Sequence, residues 1–231
     1  MQPRLLLLLS AFFCLSALAS AQPTGIFMVG ESEGDDFRRR LTLNGQRGTL
    51  SELEPAEAPS VEFTVTAIGA RLYHLRGTEQ REPFRAYLRF RSDHDALIWV
   101  SGQNRLFLAL RQADTSLVEE LQGDWKALVA DQLASANLTG DQLVLPTPSG
   151  ELRARLIPLV PDAEGEVRMV AVPENQDSFL LYFVALEPDL WLLRNHEEDD
   201  FVLLFRGETP PWVNAELKAR KEQQTLVAPP E

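Results

Sequence analysis

Along most of the chain apolar and polar residues alternate with a period of two, the signature of strands with one buried and one wet face. Phe84, Ala86, Leu88 and Phe90 interleave with Arg85, Tyr87, Arg89 and Arg91, and residues 61–67 repeat the device. The apolar runs 97–100 and 106–110 flank Ser101-Gly102-Gln103-Asn104, which predicts a hairpin with turn formers where a turn needs them. Further strands are expected at 26–29, 37–43 and 71–75. Residues 51–59, with two prolines and three glutamates, read as a loop.

After residue 113 the period changes. Ser116 and Glu119 have the spacing of a capping box, and Leu117, Leu121, Trp125 and Leu128 return at helical spacing. The pattern predicts an amphipathic helix over 116–135, with Gly123 weakening its middle. Strands resume at 142–145, 152–157, 166–172, 179–186, 190–193 and 201–205. The last three are apolar on both faces, so the 116–135 helix or the N-terminal strands should cover them. Pro210 and Pro211 suit the first turn of a short helix over 209–224, followed by a disordered tail.

The expected fold is therefore mainly β, with about ten short antiparallel strands and two helices. A barrel, a sandwich or two related β-rich halves all satisfy the pattern. The expected divisions are 1–21, 22–113, 114–208 and 209–231. Residues 96–111 and 190–206 share an order of strand with tryptophan, polar turn, and apolar strand ending in arginine. Pairing Trp99 with Trp191 and Arg111 with Arg206 makes duplication one explanation, and two ordinary amphipathic hairpins the other.

Gly123-Asp124-Trp125, followed by antiparallel strands and a late Phe205-Arg206, resembles the G-x-W and terminal arginine of lipocalin-like barrels. That resemblance implies a tryptophan at the start of the first strand, packed near the arginine and closing a ligand-holding barrel. The helical period after Trp125 departs from the pattern.

Composition places the chain. Arg4, the apolar run 5–18 and Ala19-Ser20-Ala21 make a secretory signal with cleavage expected after Ala21, too short for a stable span. The only cysteine, Cys14, lies inside that signal behind Phe12 and Phe13, which is unlike a lipidation site. The mature chain would then have no thiol for a disulfide, nucleophile or metal. Nineteen arginines against three lysines suit a bacterial, periplasmic protein.

Charge is divided unevenly. Losing Arg4 takes the net charge from −12 to −13; residues 22–113 hold 12 basic and 12 acidic side chains, while 114–231 hold 9 and 22. An acidic surface repels nucleic acid and anionic headgroups, which excludes the first as a partner.

Three groups of residues invite a chemical reading. Gly30-Glu31-Ser32-Glu33-Gly34 fits the nucleophile elbow, whose serine sits on a strand-to-helix turn. The following residues read as a strand, so a polar loop is the favoured reading of Ser32. His94 lies between Asp93 and Asp95, and His196 precedes Glu197, Glu198, Asp199 and Asp200; neither has zinc-ligand spacing or a calcium-loop pattern. Both read as solvated turns, with His196, Glu197, Asp199 and Asp200 the residues a metal would use. Arg85, Tyr87, Arg89 and Arg91 form a ladder able to hold phosphate or carboxylate groups bidentately; the neutral balance of the N-terminal half favours the other reading, in which acids on a neighbouring strand such as Glu62, or the acidic C-terminal half, pair with it.

The functional expectation is a non-enzymatic envelope protein without a cofactor. It would bind a partner protein or a small apolar or anionic ligand at a barrel mouth, sheet face or edge strand. A serine hydrolase using Ser32 and an acidic structural or assembly factor are the alternatives.

Overall fold

The computed structural model describes residues 22–31, 36–53, 60–79, 82–103, 105–113, 119–129, 132–147, 150–161, 166–174, 176–195 and 201–215. It is mainly β, with sixteen strands among the described residues. The first eight are β1 (Thr24–Glu31), β2 (Arg39–Asn44), β3 (Arg47–Glu52), β4 (Ser60–Gly69), β5 (Leu72–Glu79), β6 (Glu82–Phe90), β7 (Asp95–Val100) and β8 (Leu106–Arg111). The second eight are β9 (Gly123–Val129), β10 (Gln132–Thr139), β11 (Gln142–Thr147), β12 (Gly150–Pro158), β13 (Val167–Pro173), β14 (Phe179–Glu187), β15 (Leu190–Asn195) and β16 (Phe201–Phe205). Each set closes into an antiparallel barrel in which every strand pairs with its sequence neighbours and the last with the first. Backbone contacts divide the chain into two compact units, one around each barrel.

Each barrel is filled by its own inward side chains. In the first, Phe27, Leu41, Phe63, Leu75, Leu88 and Ile98 belong to one buried cluster; in the second, Trp125, Leu138, Leu156, Phe183, Trp191 and Leu193 do. Eight strands give an interior that side chains can fill, with small residues admitting large neighbours. Gly48 shows this fit: a Cβ there would lie 2.4 Å from the Phe63 ring. Its neighbours Arg47, Thr49, Ser51 and Glu52 are polar, so β3 falls between the strand expected at 37–43 and the loop expected at 51–59, and its last two residues overlap that loop.

The helix expected over 116–135 is not formed. Residues 114–118 lie outside the described residues, Glu119 is helical, and β9 and β10 take up 123–129 and 132–139 as an antiparallel pair. Trp125, Ala127 and Val129 point into the barrel, while Leu128 packs on its outside against Leu203 and Phe205. A strand apolar on both faces places residues at spacings of three and four by coincidence, which is the signal the helix reading used.

The outer face of β15 and β16 is covered, but not by that helix. Leu190, Leu203 and Phe205 bury Val213, which sits on a helical turn at residues 211–215 and is wholly inaccessible. The proline start expected there is present, and residues 216–231 lie outside the described residues. Closure also removes the edge strands offered above as a partner site. Among the described residues no helix is long and apolar enough to cross a membrane.

Candidate functional site

The two barrels are closed by the same device. In the second, Trp125 stands on the first strand and its indole N–H donates to the Leu121 carbonyl at 2.7 Å. Arg206, one residue past β16, lays its guanidinium 3.9 Å from the Trp125 ring centroid. It also donates to the carbonyls of Glu120 and Gln122, tying the segment before β9 to the end of β16. In the first barrel, Phe27 takes the place of Trp125, and Arg111 lies 5.9 Å from its centroid.

The registers agree. Phe27 faces Arg111 across β1 and β8, and continuing the β9–β16 register by one residue puts Trp125 opposite Arg206. Gly25 and Gly123 precede the aromatic residue by two positions, both with positive φ. At Gly25 a Cβ would meet Phe27 and Arg111 at 3.3 and 3.4 Å, so glycine is needed there on two counts. Sequence reading found the second copy and missed the first, Gly25-Ile26-Phe27 with Arg111, because phenylalanine replaces tryptophan. The arginines of the hairpin comparison are thus equivalent, but its tryptophans are not: Trp99 is 43% exposed and Trp191 is buried.

The arginine ladder is found on the outside of the first barrel. Arg85, Tyr87 and Arg89 alternate outward along β6, while Arg91 falls past the strand end in the turn to β7. Cross-strand pairing adds residues that the sequence reading did not connect. His74 on β5, Tyr87 on β6 and Trp99 on β7 stand in one row. His74 and Tyr87 stack with centroids 4.8 Å apart and planes 3° apart, and Tyr87 and Trp99 stack at 5.3 Å. Exposed Leu106 is the next residue in that row on β8.

Beside this row Arg76 stands directly opposite Arg85. Like charges at such a position repel. The pairing with Glu62 considered above does not occur: Glu62 lies on β4 facing Thr49 of β3, with β5 between it and Arg85. Among the described residues Arg76, Arg85, Arg89 and Arg91 make no salt bridge. Arg76 instead donates its Nε–H to His74 Nδ1 at 3.0 Å, and His74 Nε2 is buried with no partner. Burial lowers the His74 pKa below its ordinary 6.5, and the Arg76 and Arg85 guanidiniums lower it further.

The remaining candidates separate. Ser32 lies outside the described residues, and so does the segment His196, Glu197, Glu198, Asp199, Asp200. The strands flanking Ser32 are β1 and β2, an antiparallel pair, where a nucleophile elbow needs a strand followed by a helix. His94 sits in the β6–β7 turn, its backbone N–H donating to Ser92 Oγ at 3.1 Å. Among the described residues no three histidine, aspartate or glutamate side chains converge as a metal site.

No protein-family model, curated protein or solved structure matches this chain. The likeness to lipocalin-like barrels therefore rests on the closure itself, which occurs here twice. The interior chamber that the likeness implies is, among the described residues, occupied by the chain's own side chains.

Proposed function

We propose that this is a non-enzymatic binding protein of the bacterial cell envelope, exported with cleavage after Ala21. It holds an anionic group of a partner protein or ligand on the outer face of β5–β7. The observation that carries this reading is the opposed pair Arg76 and Arg85, which make no salt bridge among the described residues and stand beside a partly exposed aromatic row. A sheet that served only as a wall would be more stable with an acid at one of those positions. A carboxylate or phosphate between the two guanidiniums would remove the repulsion and gain charge-assisted hydrogen bonds. Trp99 and Leu106 then offer apolar contact for whatever carries the anion.

Fluorescence anisotropy with a dye-labelled oligoglutamate peptide tests the reading. Binding should weaken about tenfold in Arg85→Ser, and again as salt rises. Equal affinity for parent, Arg85→Ser and Arg89→Ser would reject it.

A further inference from the structure

A second feature of the first barrel lies at the end where β1 begins. It is an open recess of about 1240 Å³. Its walls are the chain before β1, the β2–β3 turn, the end of β4 with its turn into β5, and the β6–β7 turn. Ligand sites occupy roughly 300–1,000 Å³, so a small molecule fits with room for solvent.

The floor is largely apolar. Val65 and Tyr73 are buried, and Tyr73 meets Phe90 edge-on with centroids 5.9 Å apart. Phe90 in turn meets Phe27 at 5.6 Å, so the floor is continuous with the closure described above.

The rim is cationic. Arg71 Nη2 pairs with the Asp93 carboxylate at 3.0 Å, and Arg111 Nη1 donates to the Asp93 backbone carbonyl at 3.3 Å. The charged side chains lining the recess are Arg71, Arg111 and Asp93, and only Arg71 pairs with the carboxylate, which leaves one positive charge in excess.

The backbone adds an independent reason to read Arg71 as functional. Its φ is 57°, in the left-handed region where glycine or asparagine costs little and a long side chain costs about 1 kcal/mol or more. It directly precedes β5, just beyond the register shift between Ala67 and Gly69. A turn selected for stability alone would place glycine there. The guanidinium is held at the recess by Asp93 and by its hydrogen bond to the Arg91 carbonyl at 3.4 Å.

We infer that this recess binds a small organic monoanion, with its apolar body on Tyr73, Phe90 and Val65 and its carboxylate or sulfonate at Arg71 and Arg111. The site is separate from the β5–β7 face and does not depend on it.

Titration of the full chain with 8-anilinonaphthalene-1-sulfonate, read by its fluorescence, tests the inference against the uncharged probe N-phenyl-1-naphthylamine. Arg71→Gly relieves the backbone strain, so it should melt no lower than the parent. It should bind the sulfonate about tenfold more weakly while holding the neutral probe unchanged. Ala67→Trp, which fills the recess from an exposed position, should remove both probes, and Arg85→Ser should alter neither. Three results would each overturn the inference: no sulfonate binding by the parent, unchanged sulfonate affinity in Arg71→Gly, or both probes retained in Ala67→Trp.

Discussion

Arg206 covers Trp125 in the second barrel as Arg111 covers Phe27 in the first, each arginine facing its aromatic partner across the seam between the last and first strands. The arrangement seals the ring at the point where no turn connects the strands. It also ties two residues about eighty positions apart into one contact in each unit.

Because the first barrel performs this closure with phenylalanine, Trp125→Phe should be tolerated. Its expected cost is about 1 kcal/mol, from the lost indole hydrogen bond to Leu121. Trp125→Ala should cost about 3–5 kcal/mol by opening a cavity in the second core. Urea denaturation gives both values. Hydrogen exchange should place the loss of protection in β9–β16.

Gly48→Ala should lower stability by about 1–3 kcal/mol, because the Phe63 ring and the Thr42 carbonyl already occupy the space of a Cβ. The loss should be confined to β1–β8. Exchange protection in the second barrel is the control.

Val213 plugs the outer apolar face of β15 and β16, so Val213→Ala should cost about 2 kcal/mol from lost burial. Val213→Asp should cost more, since it sets a carboxylate among Leu190, Leu203 and Phe205. Increased binding of an apolar dye by Val213→Asp would mark the exposed face.

His74 makes the first barrel sensitive to pH. Its pKa is lowered in the folded chain, so the unfolded chain binds more protons just below 6.5. Stability should therefore rise as pH increases through that region and fall as pH decreases below it. The groups facing His74 are Tyr87 and Thr66 across the sheet, with Arg76 and Arg85 beside it. Urea midpoints followed from about pH 5 to about pH 8 should show this slope flattened in His74→Gln.

Arg85→Gln removes one member of the opposed pair and should stabilise the first barrel by roughly 0.2–1 kcal/mol at low salt. The gain should fade as salt screens the parent's repulsion. Thermal melts at two ionic strengths would show it.

Much of this fold is legible in residue order. The alternation at 84–90 gives β6, and the arginines and tyrosine on its wet face are where the period puts them. What misleads is a strand with two apolar faces. Leu128 belongs to the outer cluster and Trp125 to the inner one, and a one-dimensional pattern cannot tell that from a helix. The site is legible only in part. Tyr87 is visible as a member of the ladder, but its neighbours His74 and Trp99 lie thirteen and twelve residues away and are brought in by strand register. Register is set by turn geometry and by Gly48-like fits, which residue types along one strand do not reveal.

Closure has a consequence for the order in which the chain can fold. β1 cannot complete its hydrogen bonding until β8 has been made, and β9 must wait for β16. Such non-local pairings are slow because the intervening loop entropy must be overcome first. In a chain emerging N-terminus first, the first ring can close once Arg111 is free, before β9 exists. Until then its strands carry two open edges able to join those of another chain, so the interval before closure is when this protein is most exposed to aggregation.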